Sequence, residues 1–446
     1  MQLIREFDAL VHATGRLWIR FLPRVGTWLL LGWLAYTTCL VTSAAVGNRW
    51  GPAGAVIFVL GVTANVVGVI FAIHALKPGL GAGPRLVEAR RQFPGASGIP
   101  DTVLAPERRV DVAVLAIGPV LGVYAVWAVI DGMIRDGILW NAITGDVYEA
   151  GDFSIGRSVA DLPMYVGLGF AALVLRIGWG YLVRGRQSSW WRAPLVFLEG
   201  LWVFSTFFIV LLGVRRLHTW VARRAFWREG LHAWQQFLDS LPAIRLPFDV
   251  TLPQFLQRGS IWLTEMFLPG LWQGIALPLV WLAVTAMVFG WREFRARDLL
   301  TDSLRERADR LERTDASRTL SPVVGVLTED LRYKWLPLLH TFRLVWRSGP
   351  WVLGAYLVLS ALAEVGSWAL KAILFRVFAS GEQAQVLRSF TAIDAVQHLI
   401  TTSVLVCLYA ATFDRGLAGA AGLDDSTLRP STLQAEPVTT QAVNVQ

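Results

Sequence analysis

Ionisable side chains inside long apolar runs are the residues of this chain that could do chemistry. In hydrocarbon such a group must hold a proton, pair with a charge or meet water. Glu364 is the most isolated of them. It sits in Ala361-Leu362-Ala363-Glu364-Val365-Gly366, with no basic residue on its own helix face nearer than Lys371. A later apolar run carries Asp394, Gln397, His398, Thr401 and Thr402 at helical spacing, which makes one polar stripe. If the two runs pack as neighbouring helices, Glu364 comes near His398 and Thr402, with Gln397 beside them. A carboxylate and an imidazole in a half-buried, hydrated setting can hold or relay a proton. The same groups also suit a hydrogen-bonded core that fixes helix packing, and that structural role is the expectation here.

Two further pairs read as structural ion pairs. Arg176 and Glu199 stand on opposite arms of one predicted hairpin, and counting from its turn at about 1.5 Å per residue sets them at similar depth. Lys371 and Asp394 flank the turn between the last two runs. In an earlier run, Asn65 lies among Gly61, Ala64, Gly68 and Ala72, small residues that permit close helix approach with the amide as glue. His74 follows in the same run.

Familiar soluble chemistry is missing. Gly79-Leu80-Gly81-Ala82-Gly83 has spaced glycines, but it follows an apolar run rather than a strand, and no Lys-Ser/Thr comes after it. It reads as an exit loop. The two cysteines, Cys39 and Cys407, both fall in apolar runs, so neither a disulfide framework nor a zinc cluster is expected. No catalytic residue, cofactor or metal ligand is assigned.

The elements that must position these residues are eight apolar runs, each near the 20 residues a helix needs to cross a bilayer. They are Val25–Val46, Ala53–Leu76, Val110–Ile130, Leu162–Val183, Pro194–Val214, Leu268–Trp291, Trp351–Phe375 and Ile393–Phe413. Apolar residues form 54% of the chain and charged residues only 17%, too few charges to cover a soluble surface of this size. The expected fold is an all-α integral membrane protein, a polytopic bundle of about eight transmembrane helices.

Arginines set the orientation. Arg5, Arg16, Arg20 and Arg24 precede the first run, Arg85 to Arg109 follow the second, Arg184 to Arg192 the fourth, and Arg292 to Arg347 the sixth. The gap after the third run holds Asp136, Asp146, Glu149, Asp152 and Asp161 instead. This alternation predicts a bacterial cytoplasmic membrane protein with both termini in the cytoplasm. The net charge of +8 is explained by that placement, so no nucleic-acid partner is expected. Met1 to Arg24 is too long and polar for a secretory signal, and the run after it reads as a retained anchor.

Three stretches have one apolar face and a polar remainder, which suits a helix lying in a headgroup layer. They are the lead with Leu3, Phe7, Leu10, Leu17 and Phe21; the segment with Leu217, Trp220, Trp227, Leu231, Trp234, Leu238 and Leu241; and the segment with Leu327, Leu331, Trp335, Leu338, Phe342 and Val345. The first and third end alike, in Arg16-Leu17-x-x-Arg20-x-x-Pro23 and Arg343-Leu344-x-x-Arg347-x-x-Pro350, so each reads as an elbow into a span.

The organisation expected is a cytoplasmic amphipathic lead (1–24), spans one to five (25–214), an extracytoplasmic amphipathic segment (215–267), span six (268–291), a charged cytoplasmic helical segment (292–350), spans seven and eight (351–413) and a disordered cytoplasmic tail (414–446). The expected function is a non-enzymatic scaffold or accessory component of an envelope or transport assembly. Its partners would be the lipid bilayer and other membrane proteins, and self-association fits as well. A secondary transporter or channel using Glu364 and His398 is the alternative. A third reading, an intramembrane enzyme acting on lipid, requires Asp152, Asp161, Lys371 and Asp394 to converge near the outer headgroups.

Overall fold

The computed structural model describes residues 2–47, 50–80, 112–113, 116–117, 120–121, 162–183, 189–242, 244–246, 250–289, 350–378 and 383–420. Nearly all of them are helical. Where no water reaches, a helix satisfies its own backbone donors and acceptors, so long apolar runs become helices.

The helices are α1 (Gln2–Gly47), α2 (Gly51–Ala75), α3 (Leu162–Val183), α4 (Ala193–Ala222), α5 (Ala225–Ser240), α6 (Leu252–Ile261), α7 (Leu268–Leu271), α8 (Leu277–Val288), α9 (Pro350–Phe378) and α10 (Gln383–Ala420). Prolines stand at the starts of α2, α4, α6 and α8, where a missing N–H breaks no helical bond. Among the described residues, α1, α2, α3, α4, α9 and the Phe390–Gly416 part of α10 are long and apolar enough to cross a membrane.

Span six departs from the expected single helix. Between α6 and α8 the chain passes through two π-helical turns, Trp262–Phe267 and Trp272–Ala276, and the apolar helix is the shorter stretch Gly274–Val288. Each π turn ends two residues before a proline, Pro269 or Pro278. A proline ring pushes on the carbonyl four residues back, and a widened turn relieves that clash. Span three lies mostly outside the described residues. So do the acidic gap after it, the charged segment with its in-plane helix up to residue 349, and the tail beyond residue 420.

The amphipathic lead differs from the expected elbow. Helix α1 runs through Pro23 without a break, and one side of the lead packs against the bundle, where Leu10 and Phe21 are buried. Its contacts explain this: Glu6 pairs with Arg415 at 2.6 Å, Trp18 donates from Nε1 to Ser403 Oγ at 2.8 Å, and Gly26 faces Leu399. The lead therefore lies antiparallel along α10. The second half of α1 pairs with α2 instead, through a ladder of small residues. Gly32 meets Gly68, Cys39 meets Gly61, and Ser43 donates to the Gly54 carbonyl at 2.7 Å. Such residues let two backbones approach closely without a hydrophobic driving force.

Helix α2 is the most buried of the long helices, and α9 and α3 are the least. Helix α4 packs between α2 and α3: Gly200 faces Thr63, and Gly169 of α3 faces Ser205. The segment after span five also divides differently from the expected single in-plane helix. Helix α4 carries on to Ala222, the chain breaks at Arg223 and Arg224, and α5 follows as a separate helix. A two-residue antiparallel hairpin, Arg245–Leu246 with Val250–Thr251, turns the chain into α6. Thr251 and Gln254 cap that helix reciprocally.

Candidate functional site

Helices α9 and α10 form an antiparallel hairpin whose seam is polar at the turn end and aromatic at the other. Lys371 Nζ lies 3.1 Å from Asp394 Oδ1. One turn further in, Gln397 Nε2 donates to Ser367 Oγ at 2.6 Å. Tyr356 and Tyr409 close the far end, and the Tyr356 hydroxyl donates to the Pro278 carbonyl at 2.5 Å, which ties α8 to the hairpin. Ser367 and Lys371, four apart on one helix, and Asp394 and Gln397, three apart on the other, share a face of their helices and meet across the seam.

Glu364 is not part of this seam. Its side chain is exposed, at the midpoint of α9, and it makes no hydrogen bond or ion pair among the described residues. Its neighbours on the outer surface are Leu362, Val365 and Trp368, the last two 65% and 71% exposed. The structure thus separates Glu364 from His398 and Thr402. His398 approaches Thr402 of its own helix, with Nδ1 3.5 Å from Oγ1, and its Nε2 is buried without a partner among the described residues. Of the expected four-residue site, His398 and Thr402 come together, Gln397 bonds to Ser367, and Glu364 faces away. Ser360 and Ser367 of the same helix are buried, whereas Glu364 between them is exposed.

Arg176 Nε lies 2.6 Å from Glu199 Oε2, with the carboxylate buried and the guanidinium nearly so. This ion pair joins α3 to α4 within the membrane-crossing stretch of both. Lys371 and Asp394 are half-buried by comparison. Of the four groups required for lipid chemistry, Lys371 and Asp394 pair with each other, and Asp152 and Asp161 lie outside the described residues. No three His, Cys, Asp or Glu side chains converge among the described residues.

Two contacts escaped the sequence reading: Glu6 with Arg415 and Trp18 with Ser403. They join residues some 400 positions apart, so no local spacing signals them. Trp18 did carry a hint, because a buried indole N–H needs an acceptor.

Comparison of the chain with protein-family models, with curated proteins and with solved structures returns no match.

Proposed function

We propose that this chain is a non-enzymatic multi-pass component of the bacterial cytoplasmic membrane that assembles with other membrane proteins through the outer face of α9. The observation that carries the proposal is the exposure of Glu364 at the middle of an apolar helix. A carboxylate facing hydrocarbon costs several kcal/mol at the bilayer centre, on the order of 3 by insertion scales, so such a face calls for a polar partner. Val365 and Trp368 beside it supply the apolar contact area that protein interfaces use around a polar anchor. The transporter reading loses support, because its two coupling groups are not brought together.

The wider architecture belongs to the same proposal. Span three and the π-interrupted span six complete eight crossings, and both termini are cytoplasmic. Helix α5 lies in the outer headgroup layer, with Phe226, Trp227, Leu231 and Trp234 exposed beside Arg228, Glu229 and His232.

The test is purification in mild detergent through a tag after Gln446, with mass spectrometry of the eluate, for wild type and Glu364→Leu. The expected result is a stoichiometric membrane partner, or a second copy of the chain, that is lost in the variant while the variant's level in the membrane holds. A monomeric wild-type chain with no companion would contradict the proposal.

A further inference from the structure

Helix α1 carries three exposed arginines, Arg16, Arg20 and Arg24, one turn apart and on the side away from Trp18 and Val25. On α9, Glu364 is exposed as well. Within one chain these groups form no ion pair among the described residues, and Arg20 has the Phe21 ring beneath it at 5.5 Å. Contacts with α10 fix the height of both sets. Gln397 bonds to Ser367, so three residues along each antiparallel helix Glu364 is level with Ile400. Trp18 bonds to Ser403, which sets Arg20 level with Thr401. Counted from Gly26 against Leu399, the residue at that level is Arg24. By either count the carboxylate stands level with the Arg20–Arg24 turn, inside the Phe390–Gly416 span.

We propose that this chain self-associates in the membrane, with Glu364 of one copy paired to the Arg20–Arg24 turn of a second. This pairing rests on the outer face of α9 being an interface, and it gives that face its occupant. Height is what selects a second copy. Copies related by an axis along the membrane normal keep every residue at its own depth. A carboxylate within the span is then neutralised by a sister chain only if that chain exposes a cation at the same depth, and this chain does. An unrelated protein would answer Glu364 and leave the arginines without a counter-charge, whereas a second copy satisfies both demands. Arginine suits the role, because its planar fork pairs a carboxylate through two hydrogen bonds and it is weakly hydrated. Val365 and Trp368 beside Glu364, and Ile19 next to Arg20, are exposed and supply apolar surface around the pair.

The experiment co-expresses two full-length copies carrying different tags, extracts them with styrene–maleic acid copolymer, captures through one tag and quantifies the other. Wild-type copies are expected to co-purify. Glu364→Arg should lower capture of its own second copy at least about tenfold, because like charges then meet, and Arg20→Glu/Arg24→Glu should do the same. Co-expressing the first variant with the second restores opposite charges at every contact, so capture between them should return to near the wild-type level. That return also shows that both variants fold. Glu364→Gln, which keeps the side chain's shape, should weaken capture too and keeps the test readable if the reversals accumulate poorly. Arg5→Glu, outside the paired turn, should leave capture unchanged. Wild-type copies that do not co-purify, or a mixed pair that stays as separate as each variant alone, would overturn the proposal. Capture of a different membrane protein through Glu364, without a second copy, would overturn it as well while leaving the wider reading of α9 in place.

Discussion

At the scale of single residues, the charges inside the apolar helices divide, among the described residues, into those paired within the chain and those, such as Glu364, that are exposed without a partner. Arg176 and Glu199 belong to the first group. Removing one member of a buried pair strands the other, so Glu199→Gln is expected to lower stability by about 3 kcal/mol, measured by thermal denaturation in detergent. Replacing both, as Arg176→Met/Glu199→Leu, should cost less than the single change, because no charge is stranded. A double variant worse than the single would show that the pair does more than join two helices. Depth counting from the turn sets these two residues level in the sequence, and they lie 2.6 Å apart. Glu364 was not legible in that way. Depth follows from position along a helix, but which way a side chain faces depends on how the helix is rotated against its neighbour. A turn of 100° per residue separates a seam residue from an outward one, and only tertiary packing sets it.

At the scale of elements, composition and Pro position carried much of the information. Helix α3 occupies Leu162–Val183, the bounds of its apolar run, α4 and α9 enclose theirs, and α2 ends at Ala75, one residue short of its run's end. Hydrophobicity marks such segments strongly because the alternative is unsatisfied backbone in lipid. The π turns of span six and the unbroken α1 were not legible. Both depend on whether neighbouring contacts hold a proline inside a helix, and Glu6, Trp18 and Gly26 supply those contacts for α1. The α1–α2 ladder makes a direct prediction. A Cβ on Gly68 would stand 2.8 Å from the Trp28 carbonyl oxygen and 2.9 Å from Gly32 Cα, both backbone atoms. Gly68→Ala should therefore push the helices apart and cost on the order of 1–3 kcal/mol. Gly178→Ala, where a Cβ meets open space, should cost nothing of the kind. Comparable melting of the two variants in detergent would remove the ladder from the account.

At the scale of the whole molecule, α1 is the strut that joins α2, α9 and α10. Its 46 residues extend about 70 Å, more than twice the hydrocarbon thickness. Its second half pairs with α2 and its first half with α10, so those two helices are offset along it by roughly 20 residues, or about 30 Å. Both pairings fit one bilayer if α1 leans or bends at Pro23, the one place where its ladder lacks a donor. Arg16, Arg20 and Arg24, exposed at four-residue spacing, make the same demand, since their guanidinium groups must reach headgroups or counter-charges. In a Cys39→Ser/Cys407→Ser background, single cysteines at Leu34 and Val365 should both be shielded from a membrane-impermeant maleimide. Labelling at Val365 with protection at Leu34 would mean that the α9–α10 hairpin stands outside the hydrocarbon, and the argument from Glu364 would fall with it.

The account rests on the outer face of α9 being an interface inside the membrane. A photo-crosslinking amino acid at Val365, one residue from Glu364, tests that in native membranes. The account predicts one discrete protein adduct, either a partner or a second copy of this chain, which disappears when Glu364→Leu is added. Adducts to lipid alone, in wild type and variant alike, would contradict it.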